Sequence, residues 1–402
     1  MVNASRRSVL KGAGALALAT TLSTPSIVRA QEKALRIGQL GVMSGPEASW
    51  GLVNKYSALA TAEMWNDKGG YEIGGTKYKI EIVSVDDRND PKLTVSGAER
   101  LTGSENIRYF IGPNTDTTAT SVRPIAEKNN AIYFPYAFAR SLYTKPAENA
   151  ILGMIASYQV APIMYQQLKE QRGVKTIGFV ARNDSDGLLQ RDEGVKVAQT
   201  LGLEIVSSSD TYEPTITDFF PVMSNLVSLA PDLIVLSSAA PAHAPQMMRV
   251  ARELGFQGLF ACEAAQDIKI INEVAGEYGD GLISIGGAST PEIRSPYMEE
   301  FIARYTKVAG EWNDEAGTKA YALEILLATL AAAGPEAIDD IAPFKAAIDG
   351  FSMKNPFLKE ESQLTYVGTG DFGQKRQIGV PMVITETKGG AFTTFAISSV
   401  AS

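Results

Sequence analysis

The sequence predicts an α/β protein of two doubly wound, mainly parallel-sheet lobes. Three observations predict it. Short apolar strands alternate with helical stretches of about ten to fifteen residues, the pattern of a parallel sheet. The alternation stops near residues 150–157 and then starts again. The chain has 402 residues, 36 of them glycine, which suits two domains rich in strand-to-helix turns.

In order, Leu35–Leu40 reads as a strand and Val53–Asp67 as a helix with apolar residues at helical spacing. A strand at Tyr78–Val85, a helix at Pro91–Thr102 and a strand at Arg108–Ile111 follow, then a helix at Thr117–Asn129 and a strand at Ala131–Pro135. In the second half, strands are expected at Thr176–Ala181, Leu203–Ser208, Leu233–Ser238, Gly258–Cys262 and Gly281–Ile285. Helices near Gln159–Arg172, Leu188–Leu201, Asp218–Leu229, Pro245–Leu254 and Asp267–Ala275 separate them. So many βα steps make a single eight-stranded barrel the alternative architecture. The last third breaks the alternation. Three helices (Pro296–Ala309, Asp314–Ala333, Pro335–Asp349) precede strands at Leu364–Tyr366 and Val380–Thr387, with Gly368, Gly370 and Gly373 between them. Such a segment fits a chain returning to complete both lobes.

Residues 1–30 read as an export leader. Arg6 and Arg7 precede an apolar run from Gly12 to about Leu22, and Val28-Arg29-Ala30 places small or apolar residues before a cut after Ala30. The paired arginines match the twin-arginine export signal. Losing this segment removes Arg6, Arg7, Lys11 and Arg29 and no acid, so the formal net charge moves from −8 to −12. An acidic surface argues against nucleic acid or an anionic membrane as partner. The single cysteine, Cys262, lies in an apolar run and is expected buried and inert.

The tools of catalysis are sparse. Gly12–Ala17 fits GxGxxA but lies in the leader and follows no strand, no such motif is expected to open a helix further on, and no GxxxxGK[ST] loop exists. A Ser-His-Asp triad would have to use the one histidine, His243, and no GxSxG elbow accompanies it. No metal, cofactor or catalytic residue is assigned. The acidic run Asp86-Asp87-Arg88-Asn89-Asp90 reads as a helix-capping loop before Pro91 rather than a calcium loop.

In open parallel sheets, ligands sit beyond the carboxyl ends of the strands. There the chain offers Ser44 and Trp50 after the first strand, and Asn114, Thr115 and Asp116 after the third. Thr115 or Asp116 is expected to cap the following helix. Tyr136, Ala137 and Phe138, with Arg140, follow the fourth strand. In the second half the corresponding loops hold Asn183 within Arg182–Asp186, Ser238, and Glu263 within Glu263–Gln266. Glu263 is read as a partner for an amine or as a helix cap. Aromatic walls with a few polar groups suit a small-solute cleft clamped from both sides.

These segments together resemble the periplasmic leucine/isoleucine/valine-binding proteins, the type I solute receptors of ABC importers. The likeness rests on Ile37-Gly38 through Trp50-Gly51, Asp87 with Pro91, Phe110-Ile111-Gly112-Pro113 through Pro124, Leu254-Gly255-Phe256, and Ala275-Gly276 through Gly281. It implies the type I periplasmic binding fold with a three-crossover hinge. One lobe would hold residues 31–153 and 288–366, the other 154–287 and 367–402. It also implies that the loops after the third and fourth strands hold a ligand carboxylate, and that Glu263 lies near an acid meeting the ligand's ammonium group. Asn183-Asp184-Ser185-Asp186 and Asn114-Thr115-Asp116 depart from the family's usual loops. They leave amides, urea-like solutes and aromatic acids open beside amino acids.

The expected function is therefore a monomeric, periplasmic solute-binding protein that hands a small polar molecule to the membrane permease of an ABC importer. A ligand-sensing module and an exported α/β hydrolase are the alternatives.

Overall fold

The computed structural model describes residues 33–45 and 47–399, so the expected leader at 1–30 lies outside the described residues. Strands β1 (Lys33–Gly41), β2 (Tyr71–Ile73), β3 (Thr76–Asp86), β4 (Tyr109–Ile111) and β5 (Ile132–Phe134) form one open sheet in the order β2-β3-β1-β4-β5. All its pairings are parallel except the β2–β3 hairpin. Strands β6 (Thr176–Arg182), β7 (Glu204–Tyr212), β8 (Leu233–Ser237), β9 (Leu259–Ala265) and β10 (Leu282–Gly286) build a second sheet. A small antiparallel sheet of β11 (Ser352–Lys354), β12 (Gln363–Val367) and β13 (Gln377–Gly379) comes next in the chain. Then β14 (Pro381–Lys388) and β15 (Ala391–Ser399) return to extend the second sheet, giving β15-β14-β10-β9-β8-β6-β7. Separate open sheets exclude the single barrel.

Both sheets are covered on both faces, and the side-chain period of two shows it. Tyr109 and Ile111 enter one core cluster while Phe110 between them enters another. Leu233 and Val235 likewise join the first cluster, and Ile234 and Leu236 a third. The first cluster draws on both sheets, so one apolar core runs through the join.

The helices are α1 (Ala48–Asp67), α2 (Pro91–Glu99), α3 (Asp116–Lys128), α4 (Ser157–Arg172), α5 (Ser185–Thr200), α6 (Phe220–Ser228), α7 (Ala244–Glu253), α8 (Ile268–Val274), α9 (Pro296–Ala309), α10 (Ala316–Ala333), α11 (Ile341–Ala347) and α12 (Thr369–Phe372). Their caps are mostly those the sequence offers. Asp90 caps α2 through the amides of Lys92 and Leu93, and Thr115, not Asp116, caps α3 in a reciprocal box with Thr118.

Four expectations need correction. The strands β2, β11 and β13 were not foreseen, because three-residue strands are too short to show a period. The strand β15, after the Gly389-Gly390 turn, was not foreseen either. The helix expected over Pro335–Asp349 is broken into a 3-10 turn, α11 and a second 3-10 turn. The segment Gly368-Thr369-Gly370-Asp371-Phe372-Gly373 does fit GxGxxG and opens α12. That helix has four residues and follows an antiparallel strand, so it lacks the βα context of a nucleotide loop. Among the described residues α10 is long and apolar enough to cross a membrane, yet most of it is buried. It packs on α1 and α11 as a core helix.

After β10 the chain leaves the second sheet for α9 and α10, which pack beside α1 on the first sheet. At that crossover Gly287 lies against Gly317 of α10. A Cβ on Gly287 would stand 2.0 Å from the Gly317 carbonyl carbon. Backbone cannot yield as a flexible side chain can, so Gly287→Ala is expected to cost about 1–3 kcal/mol, as overpacking does. Urea unfolding checks this: an unchanged midpoint would mean that the contact carries no strain.

Candidate functional site

A cleft opens where the two sheets' carboxyl ends meet. Its lining takes Trp50, Asn114, Tyr136, Phe138, Met154, Glu315 and Lys319 from the first-sheet side and the crossovers, and Asp186, Gln190, Ser238, Ala264 and Ala265 from the second-sheet side. Its cavity volume is about 60 Å³.

Each wall is placed by local rules. Gly112 ends β4 at φ +95°, and a Cβ there would meet the Leu40 carbonyl oxygen at 1.8 Å. Only glycine fits, and the turn carries Asn114 to the cleft. Asn114 Oδ1 accepts from the Val42 amide at 3.2 Å, and its Nδ2 has no protein acceptor among the described residues. On the opposite side Ser238 follows β8 with φ +56°, the left-handed region that a non-glycine residue enters at a cost. Its amide donates to Gln190 Oε1 at 2.8 Å, which fixes the Gln190 amide in the cleft wall.

The strongest charges join the two sides. Arg182, at the end of β6, is 1% exposed. Its guanidinium pairs with Asp184, with Asp186 at 3.8 Å and with Glu47 across the cleft at 3.5 Å, and it lies 4.7 Å from the Trp50 ring centroid. Nearby, the Asp116 amide donates to Asp186 Oδ1 at 3.4 Å. Burial, then the neighbouring Asp116 and Asp184, push the Asp186 carboxyl well above the ordinary range. Burial also raises Asp116. Arg140 pairs with Glu193 of α5 at 3.4 Å and stacks over Tyr158 at 3.8 Å.

Five expected residues line the cleft: Trp50, Asn114, Tyr136, Phe138 and Ser238. Six do not. Ser44 is exposed, its hydroxyl donating to Asp86 at 2.7 Å. Thr115 is committed to its cap and donates to Asn89 at 2.8 Å. The Asp116 carboxylate accepts from the Phe138 and Ala139 amides at 2.5 and 2.8 Å, so it holds the aromatic loop rather than facing the cavity. Ala137 is buried and its carbonyl accepts from Tyr143 at 2.7 Å. Asn183 is exposed and donates to Glu213 at 2.6 Å.

Glu263 is neither in a loop nor a helix cap: β9 runs on through it, and it accepts from the Tyr165 hydroxyl. It lines a smaller neighbouring cavity of about 20 Å³ that shares Met154 and Ala265 with the cleft. Sequence reasoning missed Gln190, Glu315 and Lys319, which stand in the first turns of α5 and at the start of α10, outside the loops directly after strands.

Burial pushes the Glu263 carboxyl from 4.5 to about 7, against the pull of Tyr165. A raised folded-state value means that the folded protein keeps a proton the unfolded chain gives up. Glu263's favourable share is therefore complete below about pH 4.5 and fades as pH rises to about 7. That rise in the carboxyl's pKa corresponds to about 3 kcal/mol. Glu263→Gln should remove that fall, seen as a difference between the stability–pH curves of the two proteins. Parallel curves would rule it out.

Comparison with known proteins agrees with this fold. A family model described as periplasmic binding protein matches residues 34–391. The chain is 25% identical over 280 residues to the Leu/Ile/Val-binding protein of Escherichia coli, covering 68% of this chain and 72% of that one. It is 31% identical over 118 residues to the Leu/Ile/Val-binding protein BraC3 of Rhizobium johnstonii, covering 29% of this chain and 31% of that one. Among solved structures, the branched-chain amino acid substrate-binding protein LivJ of Streptococcus pneumoniae, in complex with isoleucine, superposes with a TM-score of 0.75 at 17% identity, over 92% of this chain and 99% of the other. A Rhodopseudomonas palustris solute-binding protein in complex with 4-hydroxybenzoate gives 0.69 at 18% identity, over 91% and 97%. The likenesses to solved structures carry the fold, and the family match spans nearly the whole described chain. With its two doubly wound lobes and the cleft between them, the chain belongs to the periplasmic binding protein family and has the type I periplasmic binding fold.

Proposed function

We propose that this protein captures a small polar solute, an amino acid or a related amide or carboxylate, in the cleft between its lobes and delivers it to the membrane permease of an ABC importer. The observation that carries the reading is the cleft itself: twelve lining residues come from both sides, with aromatic walls and convergent amides. Trp50, Asn114, Tyr136, Phe138 and Ser238 are the proposed ligand contacts. The lobes are proposed as 33–153 with 288–366 and 154–287 with 367–399, hinged at the three crossovers. The pairing of β13 with β12 supports a third crossover that falls after β13, between Gly379 and Pro381, later than this division. The acidic chain with its leader-like first 30 residues supports a monomer working in the periplasm, exported by the twin-arginine route. Binding needs no catalytic step, only a ligand that favours the closed arrangement.

The test is a thermal-shift screen across amino acids, amides, short-chain acids and aromatic acids. At a hundred times its dissociation constant a ligand stabilises the fold by about 2.7 kcal/mol. Trp50→Ala is expected to weaken the best ligand at least tenfold without unfolding the protein. Arg182→Met leaves Glu47, Asp184 and Asp186 without their shared cation, and should keep the lobes apart in solution scattering even with ligand present. Absence of any ligand across all classes would sink the reading.

A further inference from the structure

The cleft holds a second ion pair, apart from the clasp around Arg182. Glu315 stands just before α10 and Lys319 one turn inside it, and the two pair at 3.4 Å. Both line the cleft, with Glu315 4% and Lys319 7% exposed. Glu315 Oε2 is buried with no hydrogen-bond partner among the described residues. Among the described residues the Lys319 ammonium finds, beyond Glu315, only the Tyr136 ring at 4.5 Å and the Met154 sulfur at 3.9 Å, both weak partners for its remaining N–H groups. A buried ion pair left half satisfied is costly, and a guest that completes it recovers that cost.

The completing group needs an acceptor for Lys319 and a donor for Glu315 Oε2, side by side. Charge excludes simpler guests. Arg182 is already matched by Glu47, Asp184 and Asp186, so the opposed pair left to meet a guest is Lys319 and Glu315. A lone carboxylate would meet Glu315, and a lone ammonium would meet Lys319. Asn114 Nδ2 and Gln190, whose oxygen is already taken by Ser238, add further donors to the wall. We infer that Glu315 and Lys319 together select a guest of no net charge with adjacent donor and acceptor, a primary amide or a zwitterion, and reject simple anions and cations. This rests on the cleft being the solute site.

The test uses four compounds of one carbon skeleton: isovaleramide, valine, isovalerate and isoamylamine. Their affinities are read by calorimetry on the wild type, Glu315→Gln, Lys319→Met and the double variant. Wild type is expected to prefer isovaleramide or valine over the two simple ions by at least tenfold, the scale of one charge-assisted hydrogen bond. Whether the amide or valine wins separates the two sources of this chemistry. Glu315→Gln, which leaves Lys319 alone, should move preference toward isovalerate by about tenfold. The double variant, in which no buried charge is stranded, should bind with little class preference, and it serves if a single variant does not fold. An unchanged class order in the folded variants, or a wild type preferring isovalerate or isoamylamine, overturns the assignment. So does failure of both net-neutral compounds while the broad screen still yields a ligand, and that result leaves the capture function standing. No ligand from any class removes the function itself.

Discussion

The arrangement of the cleft depends on one buried cation. Arg182 ends a strand of the second sheet, yet its guanidinium reaches Glu47 and the face of Trp50 at the start of the first sheet's α1. A guanidinium at 1% exposure survives only because carboxylates surround it and an aromatic face covers it. Removing one partner of such a group strands a buried charge, at about 3–5 kcal/mol. The ring of Trp50 therefore has its orientation set from the opposite side of the cleft. Its position beside Asn114 in the cleft wall follows from that.

The carboxylates that hold Arg182 also limit how firmly the sides can be held. Asp186 lies close to Asp116 of the other side: burial raises both above the ordinary carboxylate range, and the charge of Asp116 pushes Asp186 up further. Asp116 is not free to turn away, since its carboxylate is bound by the amides of Phe138 and Ala139. One attraction and one repulsion thus cross the same gap within a few residues. For a protein proposed to close on its guest, this is the useful condition: a clasp that closed by itself would leave the ligand no differential affinity to express.

Much of this was legible in the sequence, for identifiable reasons. Runs such as Leu233–Leu236 are buried on both faces of a parallel sheet, so they read as continuous apolar strands. Asp90 before Pro91 and Thr115 before α3 are caps recognisable from residue type. The loops after β1, β4, β5 and β8 supplied Trp50, Asn114, Tyr136, Phe138 and Ser238, because a doubly wound sheet aims exactly those turns at one edge. The failures share a cause as well. Ser44, Thr115 and Asn183 have the right chemistry in the right loops, yet each hydroxyl or amide is spent on Asp86, Asn89 or Glu213. Sequence shows which groups are available near a site and not which are already satisfied. Glu263 was misplaced because β9 runs three residues further than its apolar run suggested.

What no local pattern could show is the contribution of α10. It lies more than a hundred residues beyond the other cleft segments of its own sheet, and its composition reads as a core helix, which it is over most of its length. Only the return of the chain after β10 brings its first turn to the cleft, and the close approach of Gly287 to Gly317 fixes how near it comes. Glu315 and Lys319 then stand where a helix that was apolar throughout would have finished the wall with side chains indifferent to charge. A buried ion pair adds little stability over packed apolar residues of the same volume. Its presence at the one end of the helix that reaches the cleft, with an oxygen left unpartnered, is better explained by what enters the cleft than by what holds the helix in place.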